Sequence, residues 1–284
     1  MKFSATDLIL NADGSVFHLH LTPDMVSDKI IMVGDPDRVK RVSRYFDKIE
    51  VKRSHREFVT HTGTFQGKRI TVISTGIGTD NVEIVFSELD ALFNTDLKRR
   101  EVKKKKRSAS FVRVGTSGSL RKEIEIGTHL YSASAIGLDE LIAFYAFKSS
   151  IRDLQLCSAL QAHTGLPARP YLSRGSSKLI RQMTDGMTAG NTVTCPGFYA
   201  PQGRKLRIPT RFPRLLHDLS RFDYDGYQLT NFEMETSGLY ALAELYGHEA
   251  LSLNAIIAGR AVGKFAAHPE KIIDALILMG LERI

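Results

Sequence analysis

Two carboxylates stand two residues apart in Asn231-Phe232-Glu233-Met234-Glu235-Thr236-Ser237-Gly238-Leu239-Tyr240, and none of these ten residues is basic. A helical apolar pattern begins here with Met234, Leu239, Leu242, Leu245 and Tyr246, so both acids sit at a helix entrance. Such acids are ordinarily explained by the helix dipole, and Thr236 or Asn231 could supply common cap chemistry. Their company points instead to a ligand: Gly34-Asp35-Pro36-Asp37-Arg38, Ser74-Thr75-Gly76-Ile77-Gly78, Arg113-Val114-Gly115-Thr116-Ser117-Gly118 and Gln202-Gly203-Arg204. Arg113 lies inside an otherwise apolar strand, two residues before what reads as a Gly-Thr-Ser-Gly turn. A buried arginine needs a partner. A phosphate, gripped by the planar guanidinium and by turn hydroxyls and amides, is a fitting one.

These residues have to be delivered by strands that end in glycine loops. Ile30 to Val33 is a compact apolar run leading to Gly34, with Pro36 at about the first helical position and Val39, Val42, Tyr45 and Phe46 in helical spacing behind it. Gly34 lets a ligand approach the backbone and Arg38 lies one turn in, an arrangement suited to an anion. Thr75 to Asn81 repeats the device ahead of Val82, Val85, Leu89 and Leu92, its glycines permitting positive φ and exposed amides. No Gly-Lys-Ser/Thr closes that loop and no full GxGxxG is present, which removes support for nucleoside triphosphates and NAD.

Residues 48 to 75 read as strands with a turn at Gln66-Gly67, placing the neighbours Arg56 and Glu57 on opposite faces of a strand. Phe17 to Thr22 alternates like a short strand or extended arm, with His18 and His20 on one face. Tyr131 to Ile136, Tyr171 to Arg174, Thr192 to Cys195 and Leu251 to Ala258 read as strands, Arg152 to His163 and Ile272 to Leu281 as helices. In the Pro/Gly-rich loop 196 to 204, Gln202 and Arg204 at i and i+2 project to one side if the loop is extended. An amide beside a guanidinium can read a donor–acceptor edge such as that of a pyrimidine.

Of the 284 residues 43% are hydrophobic and 25% charged, an ordinary globular balance. With no Pro/Ser-rich linker, one domain over residues 1 to 284 is expected. The net charge of +8 invites a nucleic-acid reading, but Lys98 to Arg107 alone holds eight cations and one anion. Such a block is expected to be a solvated insertion. Without it the chain is nearly balanced, and no basic stripe interleaved with aromatics supports nucleic-acid binding. Cys157 and Cys195 show no metal-binding or disulfide spacing. No membrane-length or leader-like apolar run is seen, so a cytoplasmic protein is expected.

FHLHLT, GDPDR, SHREF, STGIG, RVGTSG, FYAPQGR and NFEMET, in this order from about Phe17 onward, make the chain resemble the nucleoside phosphorylase family, most like its uridine phosphorylase branch. The resemblance implies an α/β fold with a central mixed, partly barrel-like sheet wrapped by helices. It further implies a homo-oligomer, dimer or hexamer, whose sites are shared between subunits. The phosphate site so implied is Gly34, Arg38, Arg113 and Thr116, with Arg56 from the adjacent subunit. Met234, Glu235 and Thr116 would contact the ribose, together with a neighbour's His18. Phe198, Gln202, Arg204, Glu233 and Arg260 would form the base pocket. Inorganic phosphate is the implied co-substrate, without a cofactor or metal beyond a monovalent cation near Glu57, Ile77 and Asn81.

The implied reaction is phosphorolysis of uridine or a related pyrimidine nucleoside, with Arg113, Glu235, Arg204 and Gln202 in the catalytic roles. Purine-preferring relatives place an aspartate where this chain has Arg260, which favours a pyrimidine. Thr79-Asp80-Asn81 replaces the more usual Gly-Pro-Ser, and Cys195-Pro196-Gly197 alters the approach to the base loop. The competing readings are a purine nucleoside phosphorylase, a nucleosidase using water, which leaves three arginines without a purpose, and a nucleoside- or RNA-binding protein using Lys103 to Arg107.

Overall fold

The computed structural model describes residues 2–284. The N-terminal half builds β1 (Lys29–Val33), α1 (Pro36–Ser43), β2 (Lys48–His55), β3 (Phe58–Phe65), β4 (Lys68–Ser74), α2 (Thr79–Asn94), the short β5 (Thr95–Asp96) and β6 (Glu101–Val102), and β7 (Ser110–Ser119). Then come β8 (His129–Gly137), α3 (Ile151–Thr164), β9 (Tyr171–Arg174), α4 (Ser177–Met183), β10 (Thr188–Thr194) and α5 (Leu215–Arg221). The hairpin β11 (Asp223–Tyr224) and β12 (Tyr227–Gln228) leads to β13 (Asn231–Glu233), α6 (Thr236–Tyr246), β14 (Glu249–Gly259), β15 (Lys264–Phe265) and α7 (Pro269–Arg283).

Eleven strands form one mixed sheet. Strand β14 pairs with β8 on one side and with β7 on the other, which closes β14, β8, β10, β13 and β7 into a five-strand barrel; β1, β4, β3 and β2 fan out from β7. The α/β fold with a partly barrel-like sheet wrapped by helices is therefore as expected. The compact apolar run of β1 is buried because it pairs in parallel with both β4 and β7. Buried apolar side chains under α2 and α6 fill one side of the sheet; those under α1 and α7 fill another, and α3 and α5 cover a third cluster. Polar side chains link all five barrel strands: Asn254 donates to Ser132 Oγ (3.0 Å), Ser132 and Thr192 share a hydrogen bond (2.6 Å), Thr192 donates to Asn231 (3.1 Å), and Asn231 donates to Ser117 (2.7 Å).

Four local expectations change. Gly115-Thr116-Ser117-Gly118 is no turn: β7 runs through it, because this stretch supplies the register against Asn254 and Ala255 of β14 and against Phe232 of β13 that shuts the barrel. Arg56 and Glu57 are not strand residues but the two-residue turn between paired His55 and Phe58, with Arg56 at φ +54°. Phe17 to Thr22 is bent, not extended. His20 sits at φ +52° while Leu19 and Leu21 are buried under it, so their burial dictates a turn. The basic block is only partly a free loop: Lys103 Nζ donates to the Phe93 carbonyl (2.9 Å) at the C-terminus of α2, and Arg107 pairs with Asp28 (3.3 Å). A cation there offsets the negative helix end, and Lys104, Lys105 and Lys106 remain exposed.

Helix α6 is placed by two devices. Gly238 lets it approach the start of α2, since a Cβ at that position would stand 2.9 Å from Thr79 Cγ2. Buried Tyr240 donates its hydroxyl to the Ser132 carbonyl (2.7 Å) and accepts from the Ser252 amide (2.8 Å), tying α6 to β8 and β14. Replacing Tyr240 by Phe leaves both backbone groups without that partner in a dry interior. The expected loss is about 1–3 kcal/mol, read as a lower urea midpoint at unchanged slope; an unaltered midpoint would show that the cross-link is dispensable.

Candidate active site

A cavity of about 700 Å³ opens where the loops after β1 and β4 and the entrance to α6 meet the barrel. Gly34, Arg38, Arg113 and Thr116 line it together with Met234 and Glu235, and Phe198, Gln202 and Arg204 line it as well. Residues drawn from four separate stretches of chain thus face one space. Three helix entrances reach it, those of α1 at Asp35-Pro36, α2 after Ile77 and α6 at Glu235. The positive ends of their dipoles favour negative charge there, although protein acceptors already take up amides at each entrance: Asp35 that of Asp37, Glu235 that of Gly78, and Glu233 and Thr194 those of Thr236 and Ser237.

Arg113 is almost fully buried, and its partners are the two acids of the sequence motif. Nη2 donates to Glu235 Oε2, and Nη1 lies 3.4 Å from Glu233 Oε2. Burial works against the guanidinium charge, and Glu235 and Glu233 more than offset it, holding Arg113 above its ordinary range. Gly115 makes the seat: a Cβ there would stand 2.0 Å from Arg113 Nη1. Nε and Nη1 of Arg113 and Nε of Arg38 are buried donors with no hydrogen-bond acceptor among the described residues. Arg38 reaches the Val114 carbonyl through Nη1 (3.3 Å), and burial, then the neighbouring Arg113, pushes it down to about 10, which leaves it cationic at neutral pH. Buried donors left over on two adjacent guanidiniums are the signature of an anion seat.

The two carboxylates divide their duties. Glu233 accepts from the amides of Glu235 (2.9 Å) and Thr236 (2.9 and 3.1 Å) and from the Thr194 hydroxyl (2.7 Å). Burial, with the neighbouring Glu235 adding to it, pushes its carboxyl up to about 7, while Arg113 and this set of donors pull only part of the way back. A base bound by Glu233 would have to share those oxygens. Glu235 directs Oε1 to the Gly78 amide (3.0 Å) and Oε2 to Arg113, bridging the α2 entrance and β7.

Gln202 and Arg204 do face the same space, by a route other than an extended loop. Ala200–Gln202 is a single 3₁₀ turn, across which Arg204 Nη1 donates to Gln202 Oε1 (2.5 Å) and to the Phe198 carbonyl. The Arg204 guanidinium lies 3.5 Å over the Phe198 ring. Burial, then the charge of Arg260, pushes Arg204 down to about 10. Arg260 packs behind two lining residues, over the Phe232 ring at 5.3 Å and against Gly118, and its buried Nη1 has no hydrogen-bond partner among the described residues. Phe232, Ile257, Ala258 and Phe265 add an apolar lining that the sequence does not single out; the signal available was the place of Phe232 beside Glu233 on β13 and of the other three on the strands either side of Arg260.

His18 and Arg56 are not in the cavity. They adjoin one another elsewhere: His55 Nδ1 meets the His18 carbonyl (2.9 Å), the His18 amide and ring Nδ1 are held by Glu88 (2.9 and 2.7 Å), and Arg56 lies 5.9 Å over the Phe17 ring. Glu57, Ile77 and Asn81 all reach the cavity rim, where Asn81 Nδ2 donates to the Ile77 carbonyl (3.3 Å).

The profile of a family described as the phosphorylase superfamily matches residues 28–276. The chain is 30% identical over 273 residues to the uridine phosphorylase of Thermococcus kodakarensis, spanning 95% of this chain and 87% of that one. It is 26% identical over 250 residues to the uridine phosphorylase of Escherichia coli (86% of each chain), and 25% identical over 240 residues to a DeoD-type purine nucleoside phosphorylase of Oceanobacillus iheyensis (83% and 84%). Among solved structures, a Trypanosoma brucei nucleoside phosphorylase reported to show uridine phosphorylase activity superposes with a TM-score of 0.87 at 29% identity, over 98% of this chain and all of that one.

Gly115→Ala tests the seat of Arg113. The added methyl should drive the guanidinium away from Glu235 and leave two buried acids facing each other, at a cost of about 3–5 kcal/mol. Urea unfolding reads this as a fall in midpoint; a variant as stable as the parent would show that Arg113 has another place to go.

Proposed function

The chain belongs to the phosphorylase superfamily, and we propose that it cleaves the N-glycosidic bond of uridine or a close pyrimidine nucleoside with inorganic phosphate, releasing free base and ribose 1-phosphate. It is on this reading a pentosyltransferase of nucleoside salvage. The observation that carries the proposal is the pairing of unclaimed guanidinium donors on Arg38 and Arg113 with the Glu235 carboxylate in one cavity. Uridine phosphorylases recur among the relatives.

Phosphate seated on Arg38, Arg113, the Gly34 backbone and Thr116 is positioned to attack C1′ from the face opposite the base. Fixing the two reactants replaces a bimolecular encounter with an oriented one. Glu235 and Met234 hold the ribose, the carboxylate accepting from the 2′ and 3′ hydroxyls while it steadies Arg113. As the glycosidic bond lengthens, the ribose gains oxocarbenium character and the pyrimidine gains negative charge on its oxygens. Gln202 and Arg204 stabilise that charge by hydrogen bonding, beside Phe198. Arg204 stays cationic near neutral pH and so does not serve as the acid. Arg260 acts from behind the Phe232 wall, as a charge near the base end. Glu233 fixes Arg113 and α6 before it touches any base. No covalent intermediate on the protein is needed.

His18 and Arg56 sit side by side on a surface away from the chain's own cavity, which supports self-association in which each copy lends both residues to a neighbour. The unit is then a dimer or a higher assembly built from dimers. Glu57, Ile77 and Asn81 offer side-chain and carbonyl oxygens for a monovalent cation at the rim. Two buried free thiols fit a reducing cytoplasm. Among the described residues no helix is long and apolar enough to cross a membrane.

A panel of uridine, deoxyuridine, thymidine and inosine, assayed for free base with and without phosphate, tests the reading directly. Uridine cleavage that depends on phosphate is expected. Inosine turnover equal to that of uridine would move the assignment to purines, and cleavage undiminished without phosphate would move it to hydrolysis. Arg113→Ala should lower kcat by about 10²–10³-fold, as loss of a central electrostatic contact does. Replacing exposed Lys104, Lys105 and Lys106 together by Gln should leave turnover intact; tight salt-sensitive RNA binding by the parent, lost in that variant and without any phosphorolysis, would favour the binding-protein reading.

A further inference from the structure

Helix α6 has an unusual start. Its N-cap residue is Glu235, and the Glu235 side chain makes no capping bond; both its oxygens are turned away, to Gly78 and Arg113. An N-cap side chain ordinarily accepts from the second or third helical amide, and truncating such a cap is measurably destabilising. Here that duty is carried by residues outside the helix. Glu233 accepts from the amides of Glu235 and Thr236. Thr194, at the end of β10 and fully buried, accepts from the next amide, that of Ser237 (2.9 Å), and donates its own proton to Glu233 Oε1 (2.7 Å).

The geometry points to Thr194 as a positioning residue: its hydroxyl caps α6 in place of Glu235 and locks Glu233, so that the Glu235 carboxylate is free to hold Arg113 and the ribose. This rests on the phosphorolysis proposed above. One hydroxyl joins two requirements, since it donates to the acid that braces Arg113 and accepts from the helix that carries Glu235. Register pairs Thr194 directly with Glu233 across β10 and β13, so the contact is built into the barrel rather than made by a mobile side chain. Valine fills the same volume and can do neither; serine can do both.

The test compares Thr194→Val, Thr194→Ser and the parent with uridine and phosphate, well below the unfolding temperature of each. With the hydroxyl gone, Glu235 swings back toward the helix amides, and kcat should fall about 10–100-fold, the scale of a small misplacement of reacting groups. Serine should restore most of it. In a Glu235→Gln background the valine change should cost much less, because the two effects pass through the same carboxylate. Kinetics of the folded valine variant equal to the parent, whatever its melting temperature, would overturn the inference and reduce Thr194 to a structural cap; so would additive losses in the double variant. A parent protein without phosphate-dependent uridine cleavage would overturn the functional reading as well, which separates the two failures. If the valine variant does not fold, hydrogen exchange in the parent decides: a Ser237 amide protected to the level of the α6 interior supports the cap, and rapid exchange there overturns it.

Discussion

A guanidinium buried between two carboxylates is the constraint on which the molecule depends. Arg113 cannot be solvated where it lies, and the buried carboxylates of Glu233 and Glu235 face it in place of water. Each group is tolerable only because the others are in place. The three come from β7, β13 and the α6 entrance, so the barrel, the helix start and the cavity form one electrostatic unit. The acids leave part of Arg113 unclaimed, and that remainder, beside Arg38, is what the cavity offers to an anion.

Small residues make this unit possible by what they omit. Gly115 leaves room for the guanidinium, and Gly238 lets two helix entrances converge. Polar residues that would be out of place in an aliphatic core, such as Ser117, Ser132, Thr192, Asn231 and Asn254, bond to one another around the barrel, and of these only the Asn254 side-chain carbonyl oxygen is left without a partner among the described residues. Glu235 is spared capping duty by its surroundings, which is how a residue at a helix start becomes available to Arg113 and the cavity.

Much of the site was legible in the sequence because its parts are local: glycine loops after apolar strands, an arginine inside a strand, two acids at a helix entrance. Their juxtaposition was not, since Arg113 and Glu235 lie far apart along the chain and only closure of the barrel brings them together. The composition of the Gly-Thr-Ser-Gly stretch favours a turn, but strand pairing on both sides overrides local preference there. The bend at Phe17 to Thr22 is hidden for a similar reason: the alternation matches a strand, while burial of Leu19 and Leu21 demands a reversal. The seat made by Gly115 leaves no mark in a sequence, because a glycine needed for space looks like one needed for a turn. Arg56 and His18 were expected away from the chain's own site by resemblance alone; no periodicity carries that information.

Closure of the barrel by β14 also sets an order of events in synthesis. Residues 110–119 are made long before 249–259, yet they pair along nearly their whole length. Until β14 has emerged, the edge of β7 next to Arg113 stays open to solvent and to other strands. Pairings this distant form slowly, and an unfinished edge is a template for mispairing. A nascent chain still lacking residues 249–259 would therefore hold an ionised arginine on an unprotected edge, and the cavity around Arg113 could come into being only once β14 has been made.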